Sequence, residues 1–263
     1  MQQISLSEDT VRLLVFLGVL AGMAAWEFAA PHRRSEIPRL IRWTNNLALI
    51  AVDTLALRLV FPMLATGAAL LAQNQGWGLF PALGLPAAAT VIAAILVLDF
   101  VIWGQHVVFH KVPALWRLHR MHHSDPAMDV TTALRFHPLE IVVSMALKIG
   151  VVMALGAPPL AVLVFEVLLN ATALFTHSNV ALPARLEPVL RRVIVTPEMH
   201  RIHHSERRAE TDSNYGFALS IWDHLFRTHT AQAKGPIRFG IGLHGAARDQ
   251  WLDRLLLQPF RRR

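Results

Sequence analysis

The sequence predicts an all-α integral membrane protein: about three spans plus a helical hairpin, four to five membrane helices in all, with a cytoplasmic helical cap that carries histidine boxes. Three observations point there. The 263 residues are 54% hydrophobic and only 16% charged, with a mean hydropathy of +0.40, whereas about a quarter of an ordinary soluble domain is charged. The apolar residues fall in four long stretches, and histidine is concentrated between and after them. No linker, low-complexity tract or charge block divides the chain, so 1–263 reads as a single membrane domain.

The first span is 11–30, VRLLVFLGVLAGMAAWEFAA. Glu8 and Asp9 precede it where a signal peptide would be basic, and no small-residue cleavage site follows, so it reads as a retained span. The second runs roughly 46–72, from NLALIAVDTLAL onward, and the third about 84–105. The fourth stretch, 141–175, exceeds the roughly 20 residues of one crossing. It is broken by GAPP at 156–159 and predicts a hairpin of two helices.

Orientation follows from the basic residues, which favour the cytoplasmic side. Arg33, Arg34, Arg39 and Arg42 lie between the first two spans, and AQNQGWGLF after the second has no Lys or Arg. The N-terminus is therefore expected outside, with 106 onward and the Arg-rich 177–263 in the cytoplasm. The setting is read as a bacterial inner membrane. Net charge is +7; with these spans it points to anionic lipid and not to nucleic acid.

Ten of the fourteen histidines lie in 106–137 and 177–204, the segments flanking the hairpin. His106 and His110 stand at i, i+4. His119, His122 and His123 stand at i, i+3, i+4, and His200, His203 and His204 repeat that phrase. At about 100° per residue each set projects from one side of a helix, which suits imidazole ligation of Zn, Fe, Cu or Ni. A lone HxxxH is weak evidence; three such sets at a membrane face are not explained by a polar collar, which would use Arg, Lys and Trp. Eight imidazoles exceed one ion's needs and suggest two metals. The chain has no Cys, which excludes thiolate sites and disulfides, and no HExxH.

Taken in order, HVVFH (106–110), HRMHH (119–123), THSN (176–179) and HRIHH (200–204), followed by DSNYGFALSIWDHLFRT (212–228), resemble the fatty acid hydroxylase/sterol desaturase superfamily of membrane di-iron oxygenases. The resemblance covers about 99–228, the histidine-box catalytic region, leaving 229–263 as a cytoplasmic tail. TALR at 132–135 and the later pieces are most similar to the bacterial relatives of alkylglycerol monooxygenase. The resemblance implies two iron ions held by His106, His110, His119, His122, His123, His177, His200, His203 and His204. Zinc is a possible substitute in purified protein. It further implies dioxygen and a membrane lipid or sterol-like substrate entering from the bilayer, with hydroxylation of a C–H bond as the reaction. Desaturation by the same superfamily is the alternative, and a metal-binding membrane protein without oxygenase activity is the other class. The family pattern departs at Val107, where Arg is usual, and at Arg227, where Gly is usual.

Asp99, seven residues before His106, is a candidate carboxylate partner for a ligating histidine. His137 is a candidate pocket wall or hydrogen-bond donor, and Asp212 and Asn214, with Tyr215, are candidates to orient the last box. Asp53 and Arg58, charged inside span two, are functional, pair with each other, or snorkel; these readings stay open. His32, His224, His229 and His244 lack box spacing and read as surface residues. Gly240, Gly242 and Gly245 match G-x-G-x-x-G without the strand, helix and acidic residue that a dinucleotide fold needs. NAT at 170–172 lies in an apolar helix and is no glycosylation site. The terminal PFRRR, with Trp251, resembles an interfacial anchor. The chain has no flavin, nicotinamide or haem motif and no ferredoxin cysteines, so electrons are expected from a separate reductase or ferredoxin-like protein.

Overall fold

The structure, a computed structural model, describes residues 7–35 and 37–261. Its elements are helices: α1 Glu8–Ala29, α2 Arg39–Val60, α3 Ala65–Gln75, α4 Leu79–Leu83, α5 Ala87–Lys111, α6 Pro113–His123, α7 Pro138–Leu155 and α8 Pro159–His177. Short helices α9 Glu187–Leu190, α10 Pro197–His203, α11 Arg208–Thr211, α12 Ile221–Leu225 and α13 Leu252–Leu257 follow. Extended pairing among the described residues is limited to two isolated bridges.

Five segments are long and apolar enough to cross a membrane: Glu8–Ala29, Arg39–Gln75, Ala87–Lys111, Pro138–Leu155 and Pro159–His177. Their outward faces carry Leu13, Leu55, Leu59, Ile92, Leu147 and Leu160, all exposed. An apolar exterior of this extent on long helices is a lipid-facing surface. α8 lies at the centre of the bundle, against α1, α3 and α5, while α7 packs on α2 and α3. Small side chains of α3, among them Ala65, Ala68 and Ala69, are fully buried where it meets the hairpin; such residues let helix backbones approach without a hydrophobic drive from water.

Helix ends explain the architecture. Ser7 caps α1 by accepting from the Thr10 N–H at 3.2 Å. The expected span 46–72 is two helices: Phe61 is extended because Pro62 disfavours helix in the residue before it. α2 also starts earlier than expected, at Arg39, and its first turns pack on the segment that follows α6. α5 runs two turns beyond 105 to Lys111, and Pro113 at the start of α6 turns the chain there. At GAPP, Gly156 takes φ +62 to end α7, and a Cβ on Gly78 would sit 2.1 Å from the Gly156 backbone. The loops after α3 and α7 thus meet at one end of the bundle. The α1–α2 connection, α6, the end of α8 and α10 gather at the other.

The tail does not trail free. Leu255 is buried with Leu49 and Met121, the Arg117 Nε donates to the Pro259 carbonyl and Arg120 Nη2 to that of Gln258. Trp251 and Phe260 are exposed, as an interfacial anchor requires; Arg262 and Arg263 lie outside the described residues.

Candidate metal centre

Each histidine box is delivered by a helix terminus. His106 and His110 occupy the last turns of α5, His119, His122 and His123 the end of α6, and His177 the last residue of α8. His200 and His203 lie on α10, with His204 capping it. Thr196 starts α10 by accepting from the Met199 N–H, and Pro197 is its first residue. The Pro113 turn places α6 against α5, and their two boxes face each other.

All nine imidazoles are buried, none more than 3% exposed. They form two groups: His106, His110, His119, His123 and His203, and then His122, His177, His200 and His204. In each group, one ligand atom per residue lies within 4.8 Å of all the others. The partition explains why His-His is written twice. Neighbours on a helix differ by about 100°, so each His-His pair sends one ring to each group. In the first copy the i, i+4 pair, His119 and His123, joins the five-histidine group and His122 the other. In the second copy the roles reverse: His200 and His204 join the four-histidine group and His203 the first.

Hydrogen bonds set the tautomers. His106 Nδ1 donates to the Tyr215 carbonyl and His203 Nδ1 to that of Ser213, both at 2.7 Å. His177 Nδ1 donates to the Ala173 carbonyl at 2.7 Å, and His119 Nδ1 lies 2.6 Å from Glu140 Oε1. With Nδ1 protonated, the Nε2 atoms of His106 and His203 carry lone pairs, yet they stand 3.1 Å apart. Two acceptors cannot bond to each other, so a cation between them is the natural complement. His106–His119 (3.0 Å), His122–His177 (3.1 Å) and His177–His200 (2.9 Å) approach Nε2 to Nε2 in the same way. Ligands about 2.1 Å from a shared ion stand at about these separations when at right angles. Burial lowers the pKa of His122, His123, His200 and His204 well below 6.5 and that of His203 to about 3, keeping these rings neutral. The residues fit a metal pair.

The expected supporting residues divide. Asp212 lies 3.5 Å from His110 Nδ1 and also pairs with Lys111 and Arg208. Asn214, at φ +52, pins its loop by donating to the Met199 and Thr230 carbonyls. That loop presents the Ser213 and Tyr215 carbonyls to His203 and His106. Asp99 Oδ2 accepts from Trp222 Nε1 at 2.7 Å and braces α12. Seven residues share a face with His106 but stand about 10 Å further down the axis. His137 bonds backbone groups. It caps α7 by accepting from the Leu139 N–H, and its Nε2 bonds the Leu256 carbonyl, so it joins hairpin to tail and touches no clustered histidine. Asp53 and Arg58 form no ion pair among the described residues. His32, His224, His229 and His244 stay outside both groups.

Glu140, in the first turn of α7, escaped sequence reasoning. Its signal was an acidic residue opening an apolar helix at the histidine end. A second hidden feature is the Arg42 knot: Arg42 makes two 2.8 Å bonds to Asp125 and also bonds Asp129, all fully or nearly buried. Burial opposes ionisation of Asp125, but Arg42 outweighs it and holds the carboxyl below its usual range. Arg135, from TALR, donates to the Met121 carbonyl, Ser124 and Gln250. Together they lock the segment following α6. Arg227 takes φ +58, so the unusual residue occupies a left-handed position that suits Gly. Val107 is half-buried and leaves the His106–Tyr215 bond intact.

The fatty acid hydroxylase family profile matches residues 91–228. Ornithine lipid hydroxylase OlsE of Rhizobium tropici is 30% identical over 256 residues, covering 95% of this chain and 76% of that protein. Alkylglycerol monooxygenase of Homo sapiens is 34% identical over 146 residues, 54% of this chain and 31% of that one, and its Danio rerio counterpart is 29% identical over 187 residues. The chain thus spans only about a third of the human protein's length. No solved structure matches.

Proposed function

The chain belongs to the fatty acid hydroxylase family, and from that premise we propose that it hydroxylates a C–H bond of a membrane lipid, using dioxygen and a di-iron centre held by the nine histidines. The observation that carries this reading is the partition of nine buried imidazoles into two convergent groups. Beneath them a cavity of about 410 Å³ runs between the apolar spans, bounded at the histidine end by Phe136, Gln105 and Glu140. A paired iron centre, when bound, supplies the reduction of dioxygen and the oxidant for an unactivated C–H. The chain's part is to keep the imidazoles neutral, orient them through Tyr215, Ser213, Ala173 and Glu140, and exclude water by burial. The balance is R–H plus O₂, two electrons and two protons, giving R–OH and water.

Two electrons per turnover come from a separate reductase or ferredoxin-like protein. Arg33, Arg34, Arg39 and Arg238 line one recess at the histidine end, a basic surface suited to an acidic donor. The same end is assigned to the cytoplasm of a bacterial inner membrane by its arginines. Single cysteines introduced into this Cys-free chain test that orientation: labelling at residue 76 and not at 34 by an impermeant thiol reagent supports it, and the reverse overturns it.

The reaction is tested by lipid mass spectrometry of cells expressing the protein under ¹⁸O₂, with His119→Ala as control. One labelled oxygen in a lipid is expected. A lipid that loses two hydrogens without label would instead indicate a desaturase. An unchanged lipidome with tightly held zinc would indicate a metal-binding protein without oxygenase activity.

A further inference from the structure

The cavity beneath the histidines has a mostly apolar wall into which several charged and polar side chains are set. At its upper end Asp53, Gln105 and Glu140 all face it, and each keeps one buried oxygen, Oδ1, Oε1 and Oε2 respectively, that has no hydrogen-bond partner. Asp53 itself is 9% exposed. Gln105 spends its amide N–H on Ser144 and Glu140 its other oxygen on His119. These are three acceptors awaiting donors.

The lower end has the opposite character. Lys148 and Arg12 both bind Glu166, at 2.8 and 2.6 Å. Two cations against one carboxylate leave a net positive charge, and Arg12 Nε is a buried donor without a partner. Lys148 lies eight residues after Glu140 on α7, about 12 Å along the axis, and no ion pair links Asp53 to either cation among the described residues. Unpaired polar groups at membrane depth are costly, and ionisable residues there mark a ligand path.

We propose that this cavity binds the zwitterionic head group of the substrate lipid, with an ammonium at Asp53, Gln105 and Glu140 and an anionic group at Arg12 and Lys148. An ammonium has three N–H donors, matching the three acceptors. The anion is a carboxylate or a phosphate, since either satisfies the lower end. Because Glu140 also holds His119, the ammonium end of the head group lies nearest the clusters, and the oxidised C–H belongs to the head group, not to mid-chain. The assignment of the oxidised carbon rests on the hydroxylase reading; the binding does not.

The test measures binding without turnover. The full-length protein in micelles is equilibrated with equal amounts of an ornithine-headed lipid, phosphatidylethanolamine and phosphatidylglycerol, and retained lipid is counted by native mass spectrometry. Wild type should retain one of the two zwitterionic lipids at least tenfold over phosphatidylglycerol, and which one it retains identifies the anion as carboxylate or phosphate. Asp53→Asn and Lys148→Met should bring the ratio near one, with metal content reporting that each variant is folded. Equal or preferred retention of phosphatidylglycerol by wild type overturns the proposal whatever the variants do. So does an unchanged ratio in folded Asp53→Asn. Failure to incorporate labelled oxygen in cells would count against the hydroxylase reading and leave this ratio standing.

Discussion

The five- and four-histidine groups draw on the same boxes, but the protein holds them differently. In the five-histidine group, His106, His119 and His203 are each fixed through Nδ1, two by carbonyls of the 213–215 loop and one by the Glu140 carboxylate. In the four-histidine group only His177 is held in that way, by a carbonyl of its own helix. His122 Nδ1 and His200 Nδ1 have no partner, and His122 is positioned by stacking on Phe136 at 4.4 Å. One site is oriented by hydrogen bonds from outside the boxes, the other mainly by packing. Anchoring of this kind raises ligand basicity and fixes ring orientation, so the two sites should differ in affinity and in which mutations they feel.

The largest effects test whether they are separate sites. His203→Ala should lose the metal of the five-histidine group and His200→Ala that of the other, each abolishing product under the proposed two-ion reaction. A variant that loses both metals at once would merge the two sites into one. Glu140→Gln sharpens the contrast. It should weaken metal at the five-histidine group by about 10–100-fold and leave the other group's affinity unchanged, read by competition with a chelator.

Acid should not discriminate between the groups. Neutral His203, with its pKa at about 3, and His122 and His200, well below 6.5, resist protons that an unfolded chain would take up. The stability they contribute is therefore present above 6.5 and lost as pH falls from there toward about 3. The smallest effect lies outside both groups. Arg227→Gly relieves a left-handed backbone position and should add about 0.5–1 kcal/mol, visible as a slightly higher melting temperature with unchanged metal content.

Much of this arrangement was legible because histidine at helical spacing is hard to explain otherwise, and because apolar runs of spanning length are unambiguous. What could not be read depends on contacts between distant segments. Glu140 meets His119 across 21 residues, and Arg42 meets Asp125 across 83; no local pattern marks either. The bond from Trp222 to Asp99 was hidden likewise, because periodicity gives the face of a helix and not the depth of the partner. The break at Phe61–Pro62 was lost inside a run whose hydropathy continues on both sides.

The most direct test is a metal count per chain on protein purified from iron-replete cells, compared among wild type, His203→Ala and His200→Ala. The account predicts two ions in wild type and one in each variant, with iron bound through imidazole nitrogen in the absorption edge spectrum. A single ion in wild type, or a count unmoved by both substitutions, would contradict it.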